Sequence, residues 1–518
     1  MTAPAPVPYR NPRGHVLGAP WSFLLPDPAP GRVVALGRPS AAAREALARL
    51  GPLEVADLHE LPSGTAALVA VLGRRAAGRL RREAELAAAV DRLVAPGGAL
   101  WVDGPAPAGI EGAALPLAVT PVLGEPRTVA PVADDGLRRF LARLGLSSPI
   151  VEPQRLEATA RRLARGRLAR LGWRRATLVV RDGGAPLDEP PAWLRGLAAA
   201  EGVDLAGLRW ALSAAGRYRS RKVVLFLLDH RADTLRYVVK MPRHPDEGAR
   251  VEREAAALAA VAAAALDDAV AVPGVAFSGT VGRERLPVLG QLGLAGAPFR
   301  RRMSGHPDDP LLTTLVDWVT ALGAGTSVPT KPGEVAARLE PVLAEVLRGG
   351  ATAEERRVLT EAVAVLADAP DLPLVLEHGD LGVWNVLVRL DGRPAVLDWE
   401  AGVPRGLPLW DLLYLLRSYA ASSARAGTDR TGVVLDLLEG RGHLGDSFVR
   451  ATGQYAAALR LDPSVLVPLL LTCWMHRAQK EASRRDDGPY RRLLRRCVEH
   501  RRSLRLGPAV DGQRRSTR

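Results

Sequence analysis

From Arg32 to Asp103 short apolar runs alternate with stretches whose apolar residues recur every three or four positions. "RVVALG", "LEVADL", "AALVAVLG" and "ALWVDG" predict strands. "SAAAREALARLG" predicts a helix ending on Gly51, and "RRAAGRLRREAELAAAVDRLVAPGG" a long helix closed by Pro-Gly-Gly. Strands alternating with helices imply an α/β domain with a doubly wound parallel sheet. From Leu208 the period falls to two. "LRWALSAAG", "KVVLFLLDH" and "TLRYVVKMP" predict three successive strands, followed by a helix with an acidic start, "PDEGARVEREAAALAAVAAAAL". "VPGVAFSG" and "RLPVLGQLGLAG" complete a small antiparallel sheet, and from Pro310 onward helices dominate. This second part reads as an α+β unit of two lobes.

The boundaries that follow are a disordered Pro-rich N-terminus (1–24), the α/β domain with an Arg-rich helical connector (25–180) and a Pro-led linker (181–205). After these come a small lobe (206–298), a mainly helical lobe (299–505) and a basic tail (506–518). A chain of 518 residues is too long for one ordinary core, in keeping with that division.

With 47% apolar and 24% charged residues the composition is that of a soluble globular protein. The formal charge is +14, yet only Lys222, Lys240, Lys331 and Lys480 among the 70 basic residues are lysines. Abundant arginine and alanine point to codon bias rather than to a nucleic-acid surface, so no specific nucleic-acid partner is expected. A basic surface still favours phosphorylated or acidic ligands. Cys473 and Cys497 lack metal-ligand spacing and fit a reducing cytoplasm. The N-terminus lacks the apolar core of a signal peptide, and Val465–Met475 is too short to span a bilayer. A cytoplasmic protein without a membrane span is the expectation.

Candidate chemistry concentrates in "LEHGDLGVWNVLV", where His378, Gly379, Asp380 and Asn385 lie between two apolar runs, and in "RPAVLDWE", which ends a strand at Asp398. Phosphoryl transfer needs such a set. One carboxylate positions an acceptor hydroxyl and takes its proton, while an amide oxygen and a second carboxylate hold magnesium on the phosphates. The five-residue step from Asp380 to Asn385 equals that between the aspartate and asparagine of the protein-kinase catalytic loop.

"HGDLGVWN…LDWE" with the following "GLPLWDLLYLL" resembles the aminoglycoside phosphotransferase and choline kinase superfamily, over about 300 residues from Leu208. The resemblance implies a protein kinase-like fold and an ATP- and Mg2+-dependent small-molecule kinase of the EC 2.7.1 type. It makes Asp380 the catalytic base and Asn385 and Asp398 the magnesium ligands. His378 would brace the loop, and Asp411 would cap a helix or tie the loop down. Glu400, two residues past Asp398 on the same face of the expected strand, is open between a ligand-facing group and a solvated strand end. Trp384 is open between a wall of the acceptor pocket and packing beneath the loop. Lys240, ending "YVVK", matches the family's ATP-phosphate lysine, with Glu254 rather than Glu252 as its acidic partner. Gly216 and Ser220, in a turn with one glycine where protein kinases have three, would cover the phosphates.

The first domain resembles the S-adenosylmethionine-dependent methyltransferase fold, in which a helix ending in Pro-Gly-Gly precedes a late strand. Its cofactor turn is degenerate: Gly37 stands alone, followed by Pro39, and Asp57 is a lone acid after the second strand. S-adenosylmethionine is therefore not expected as a cofactor. The acceptor is expected to be a small neutral or acidic hydroxylated metabolite, sugar-like, because the helical lobe is rich in arginine. Two other readings stay open: a catalytically inactive, kinase-like nucleotide-binding protein, and a methyltransferase with a regulatory kinase-like domain.

Overall fold

The computed structural model describes residues 19–28, 30–120, 127–134, 136–137, 173–182, 186–214, 222–229, 234–369, 371–425, 427–482 and 488–507. Expectations for residues 1–18, for nearly all of the connector at 134–172, for the turn at 215–221 and for the tail beyond 507 lie outside the described residues. The chain divides into two compact units, one built from 13–252 with 275–293, the other from 253–274 and 294–518.

In the first unit β1 (Val33–Gly37), α1 (Ala41–Leu50), β2 (Leu53–Ala56), β3 (Ala66–Leu72), α2 (Arg74–Arg82), α3 (Ala84–Leu93) and β4 (Val94–Val102) alternate as the apolar pattern predicts. Strands β1 to β4 are parallel, in the order β4-β3-β1-β2. Both faces of β1 are covered. Val33 and Ala35 share a core with Leu47 and Leu50 of α1, while Val34 and Leu36 share another with Leu80 of α2 and Val90 of α3. A strand buried on both faces needs a continuous apolar run, and "VVAL" supplies it. Ser40 caps α1, its Oγ accepting the Ala43 N–H at 3.0 Å.

The expected single helix after β3 is two, broken at Glu83 (φ −110°, ψ 99°). The buried stripe Ala76–Ala77–Leu80 would continue through 83, where it meets a glutamate; the break restarts it at Leu86–Ala87–Val90. Pro-Gly-Gly lies at the start of β4 rather than after a helix end.

Strands β5 (Ala113–Thr120), β6 (Thr128–Pro131) and β7 (Arg174–Val180) extend the sheet, with β7 antiparallel between β4 and β5. A helix α4 (Ala192–Ala199) follows, then β8 (Leu208–Ser213), β9 (Lys222–Asp229) and β10 (Leu235–Pro242). Helix α5 (Gly248–Ala263) leaves this unit and enters the other, and β11 (Val275–Val281) and β12 (Leu286–Leu292) return to it.

The separate small sheet expected from residue 206 is not separate. β8 pairs antiparallel with β6, Thr128 opposite Ser213 and Val129 opposite Leu212, so all twelve strands form one sheet. Left alone, the four-residue β6 would present an open edge of unpaired N–H and C=O groups, which β8 covers. The stretch 181–205, expected to be a linker, is also part of this unit. It carries α4, whose Leu194 and Ala198 are fully buried in the core that holds Trp101 and Trp210.

The second unit has two small sheets and many helices. β13 (Gly296–Pro298), α6 (Pro310–Gly325), α7 (Glu334–Arg348), α8 (Ala353–Ala367) and β14 (Val375–Glu377) precede β15 (Val386–Arg389), β16 (Pro394–Val396) and β17 (Val403–Gly406). The helices α9 (Trp410–Ser423), α10 (Arg430–Leu438), α11 (Gly445–Ala458), α12 (Pro463–Ala482) and α13 (Pro489–Glu499) complete it. The pairs β13-β15-β16 and β14-β17 bracket the candidate loop. Among the described residues no single helix is long and apolar enough to cross a membrane.

The β6–β8 seam makes a test. Val129 is fully buried, and Val129→Asp places an unpaired carboxylate there, an expected loss of about 3 kcal/mol or more. Hydrogen exchange should show β1, β3, β9 and β10 losing protection together. Loss confined to β5 and β6 would mean that the sheet is not one cooperative body.

Candidate active site

The loop after β14 is held from below by one carboxylate. Asp411, in the first turn of α9, accepts the His378 N–H at 2.5 Å on Oδ2 and the Gly379 N–H at 3.0 Å on Oδ1. Burial, and next the charge of Glu377, push its carboxyl up to about 7. Gly379 takes φ 74°, and a Cβ there would collide with the Ala401 carbonyl oxygen, so glycine is required by both conformation and space.

His378 is fully buried. Its Nδ1 accepts the Asp380 N–H at 3.2 Å, which leaves Nε2 to donate to the Leu397 carbonyl at 2.9 Å. The ring lies 4.5 Å from that of buried Trp399. Burial holds the imidazole below its ordinary pKa, so it stays neutral and joins the two halves of the motif. Of the two readings open for Asp411, a helix cap or a tie on the loop, its contacts are those of a tie on the loop.

Asp380 is 39% exposed at its side chain and tethered on both oxygens. Arg477 donates through Nη1 to Oδ1 at 3.1 Å, and through Nη2 to the Gly379 carbonyl at 2.9 Å. Asn385 donates through Nδ2 to Asp380 Oδ2 at 3.1 Å and to its carbonyl at 2.8 Å. With the amide nitrogen so engaged, Asn385 Oδ1 is left as the outward acceptor. The Leu397 N–H donates to the Asn385 carbonyl at 2.8 Å, which sets Asp398 beside this segment. Asp398 sits in the left-handed region (φ 67°, ψ 60°), a strained conformation that the surrounding packing must hold.

That reversal corrects one expectation. Residues Trp399–Ala401 form a 3-10 turn, not a strand, so Glu400 does not share a strand face with Asp398. Its carbonyl accepts from Arg253 Nε at 3.4 Å. Trp384 is 51% exposed and stands edge-on to Tyr414, centroids 5.6 Å apart, so it does not pack beneath the loop. Glu254 is fully buried on α5, and its charge, with those of Asp380 and Asp398, bears on His378. Glu252 is exposed, as the helical offset of two implies. Lys240 belongs to the other unit, buried on β10 between Val224 of β9 and Leu289 of β12. Gly216 and Ser220 lie outside the described residues.

Sequence reasoning missed Arg477, Tyr414, Arg417 and Tyr490. The guanidinium of Arg477 lies 3.5 Å over the Tyr414 ring. One signal was present: Arg477 follows a helix stretch with no charge from Val465 to Met475, and an arginine so placed needs a buried partner.

Residues 212–447, a little under half of the chain, match the model of the phosphotransferase enzyme family. Over that segment the resemblance drawn from the motif, to a phosphotransferase family, holds. Among solved structures the chain is similar to the GDP and kanamycin complex of APH(2")-IIia, at 14% identity, covering 55% of this chain and 90% of that one, with a TM-score of 0.34. It is also similar to the macrolide 2'-phosphotransferase MphH of Brachybacterium faecium, at 21% identity, with 58% and 95% covered and a TM-score of 0.33. No curated protein matches the chain.

The Asp411 carboxyl gives a pH test. Because its folded pKa of about 7 exceeds the usual carboxylate value, its contribution to stability is present at low pH and is lost as pH rises through 7. Asp411→Asn should therefore lower the melting temperature more at pH 5.5 than at pH 8. An equal loss at both pH values would show that Asp411 stays ionised throughout.

Proposed function

We propose that the chain transfers the γ-phosphate of ATP to a hydroxyl of a small molecule, with Asp380 as the base. The acceptor hydroxyl loses its proton to the Asp380 carboxylate as its oxygen bonds to the γ-phosphorus. The bond from that phosphorus to the β–γ bridging oxygen breaks, and ADP leaves. The observation that carries this reading is the clamp on Asp380. Asn385 and Arg477 each hold one carboxylate oxygen, yet the group stays open to an incoming ligand.

Asn385 Oδ1 and the Asp398 carboxylate suit Mg2+, since both are hard oxygen donors and the Asn385 amide nitrogen is turned away onto Asp380. Magnesium held there would neutralise the charge on the transferring phosphates. Lys240 keeps the role of ATP-phosphate anchor and Glu254 that of its acidic partner on the resemblance alone. Gly216 and Ser220 keep the phosphate-covering role on the resemblance alone. Trp384 and Arg477 belong to the acceptor side.

For residues 25–180 we keep the methyltransferase-like fold as a proposal, without its cofactor. Gly37 at the end of β1 is explained by packing: a Cβ there would come within 2.5 Å of the Leu72 carbonyl oxygen. The Gly73 N–H, at the end of β3, is taken by Asp103 at 2.9 Å.

Mg-ATP should raise the melting temperature, by the equivalent of about 2.7 kcal/mol at a hundredfold excess over Kd, whereas S-adenosylmethionine should not. Asp380→Asn should keep that shift and lower ADP release by a factor of about 10² to 10⁴. Stabilisation by S-adenosylmethionine alone, or unchanged turnover in Asp380→Asn, would overturn the reading.

A further inference from the structure

Beside Asp380 the second unit presents guanidinium groups and aromatic faces. Tyr414 carries Arg477 on its ring, shares a 2.9 Å contact between hydroxyls with Tyr490, and meets Trp384 edge-on. Tyr490 in turn lies 13° from parallel to Trp474, centroids 6.4 Å apart. Arg417, one helical turn beyond Tyr414 on α9, places its guanidinium 4.7 Å over Tyr490, with Nη1 3.5 Å from the Tyr490 hydroxyl.

The charges on this wall are unequal. Arg477 is matched by Asp380. Arg417 pairs with no carboxylate among the described residues, and its Nε, shielded from solvent, has no hydrogen-bond partner. The nearby acid on α12, Glu481, is spent on the backbone N–H groups of Tyr490 (2.7 Å) and Arg491 (3.4 Å). A half-buried guanidinium stacked on an aromatic ring and without a carboxylate partner among the described residues suits a planar anion, which guanidinium groups grip with parallel bonds. Among the described residues of this wall, a polycation would meet the guanidinium groups of Arg417 and Arg477.

Resting on the phosphotransferase reading above, we propose that the acceptor carries an anionic group, a carboxylate or a phosphate, beside the hydroxyl that is phosphorylated. Arg417 pairs with that anion, and the exposed face of Trp384 packs against the carbon skeleton. Tyr490 and Arg477 lie beyond the family match, which ends at residue 447, while Trp384, Tyr414 and Arg417 lie within it.

The full chain with Mg-ATP is assayed for ADP release against four arms: hydroxy acids such as gluconate and glucuronate, sugar phosphates such as glucose 6-phosphate, uncharged methyl glycosides, and a polyamino sugar. The expected result is stimulation over basal hydrolysis by one or both anionic arms, which also tells carboxylate from phosphate. Arg417→Met should then raise KM for that acceptor about tenfold, more than it lowers kcat, and Arg417→Lys should recover part of the loss. A shared melting temperature among the three proteins excludes misfolding as the cause. Stimulation by the uncharged or polyamino arm alone overturns the proposal, as does none by any anion while Mg-ATP is hydrolysed, or an unchanged KM in Arg417→Met. A chain that neither binds nor hydrolyses Mg-ATP overturns the phosphotransferase reading, and this proposal with it.

Discussion

One buried carboxylate sets the geometry of the candidate site. Asp411 takes two consecutive backbone N–H groups, from His378 and Gly379, and so fixes the direction in which the chain leaves β14. These two bonds are set against the cost of withdrawing the carboxyl from water, which pushes its pKa up to about 7. From that anchor the rest follows in order. Gly379 turns left-handed, His378 spans to Leu397, and Asp380 emerges where Arg477 and Asn385 can each hold one oxygen. Asp380 is thus aimed by the backbone of the loop together with the bonds to its two carboxylate oxygens.

How much of this was legible depends on how local the interaction is. The five-residue step from Asp380 to Asn385 is a within-loop constraint, and it maps onto a direct hydrogen bond. Glu254 was separable from Glu252 because a helix turns 100° per residue, which puts positions two apart on different faces. Glu400 was misplaced because alternation assumes an extended backbone, and the left-handed Asp398 ends the extension at that residue. Arg477 lies 97 residues from Asp380 in the chain, and no local pattern links them.

The same division runs through the fold. β1 to β4 and β8 to β12 came through because apolar spacing records which faces are buried, whereas β5, β6, β7 and the helix α4 did not. The joining of two expected sheets into one did not, because the pairing of β6 with β8 depends on two distant edges meeting. The break at Glu83 lies between these cases: the polar interruption of the stripe is visible, but an amphipathic helix tolerates one such residue as readily as it ends there.

The continuity of the twelve-stranded sheet bears on how this protein is to be handled as pieces. The family match opens at residue 212, inside β8, which invites a cut just upstream to isolate the kinase-like part. Such a cut would strip β6 from β8 and bare the hydrogen-bonding edge of a strand whose Trp210, Ala211 and Leu212 are almost wholly buried in the intact chain. A fragment of that kind offers a sticky template to its own copies, and self-association would compete with folding. The strands that precede β8 thus cover an edge that the lobe following it leaves open.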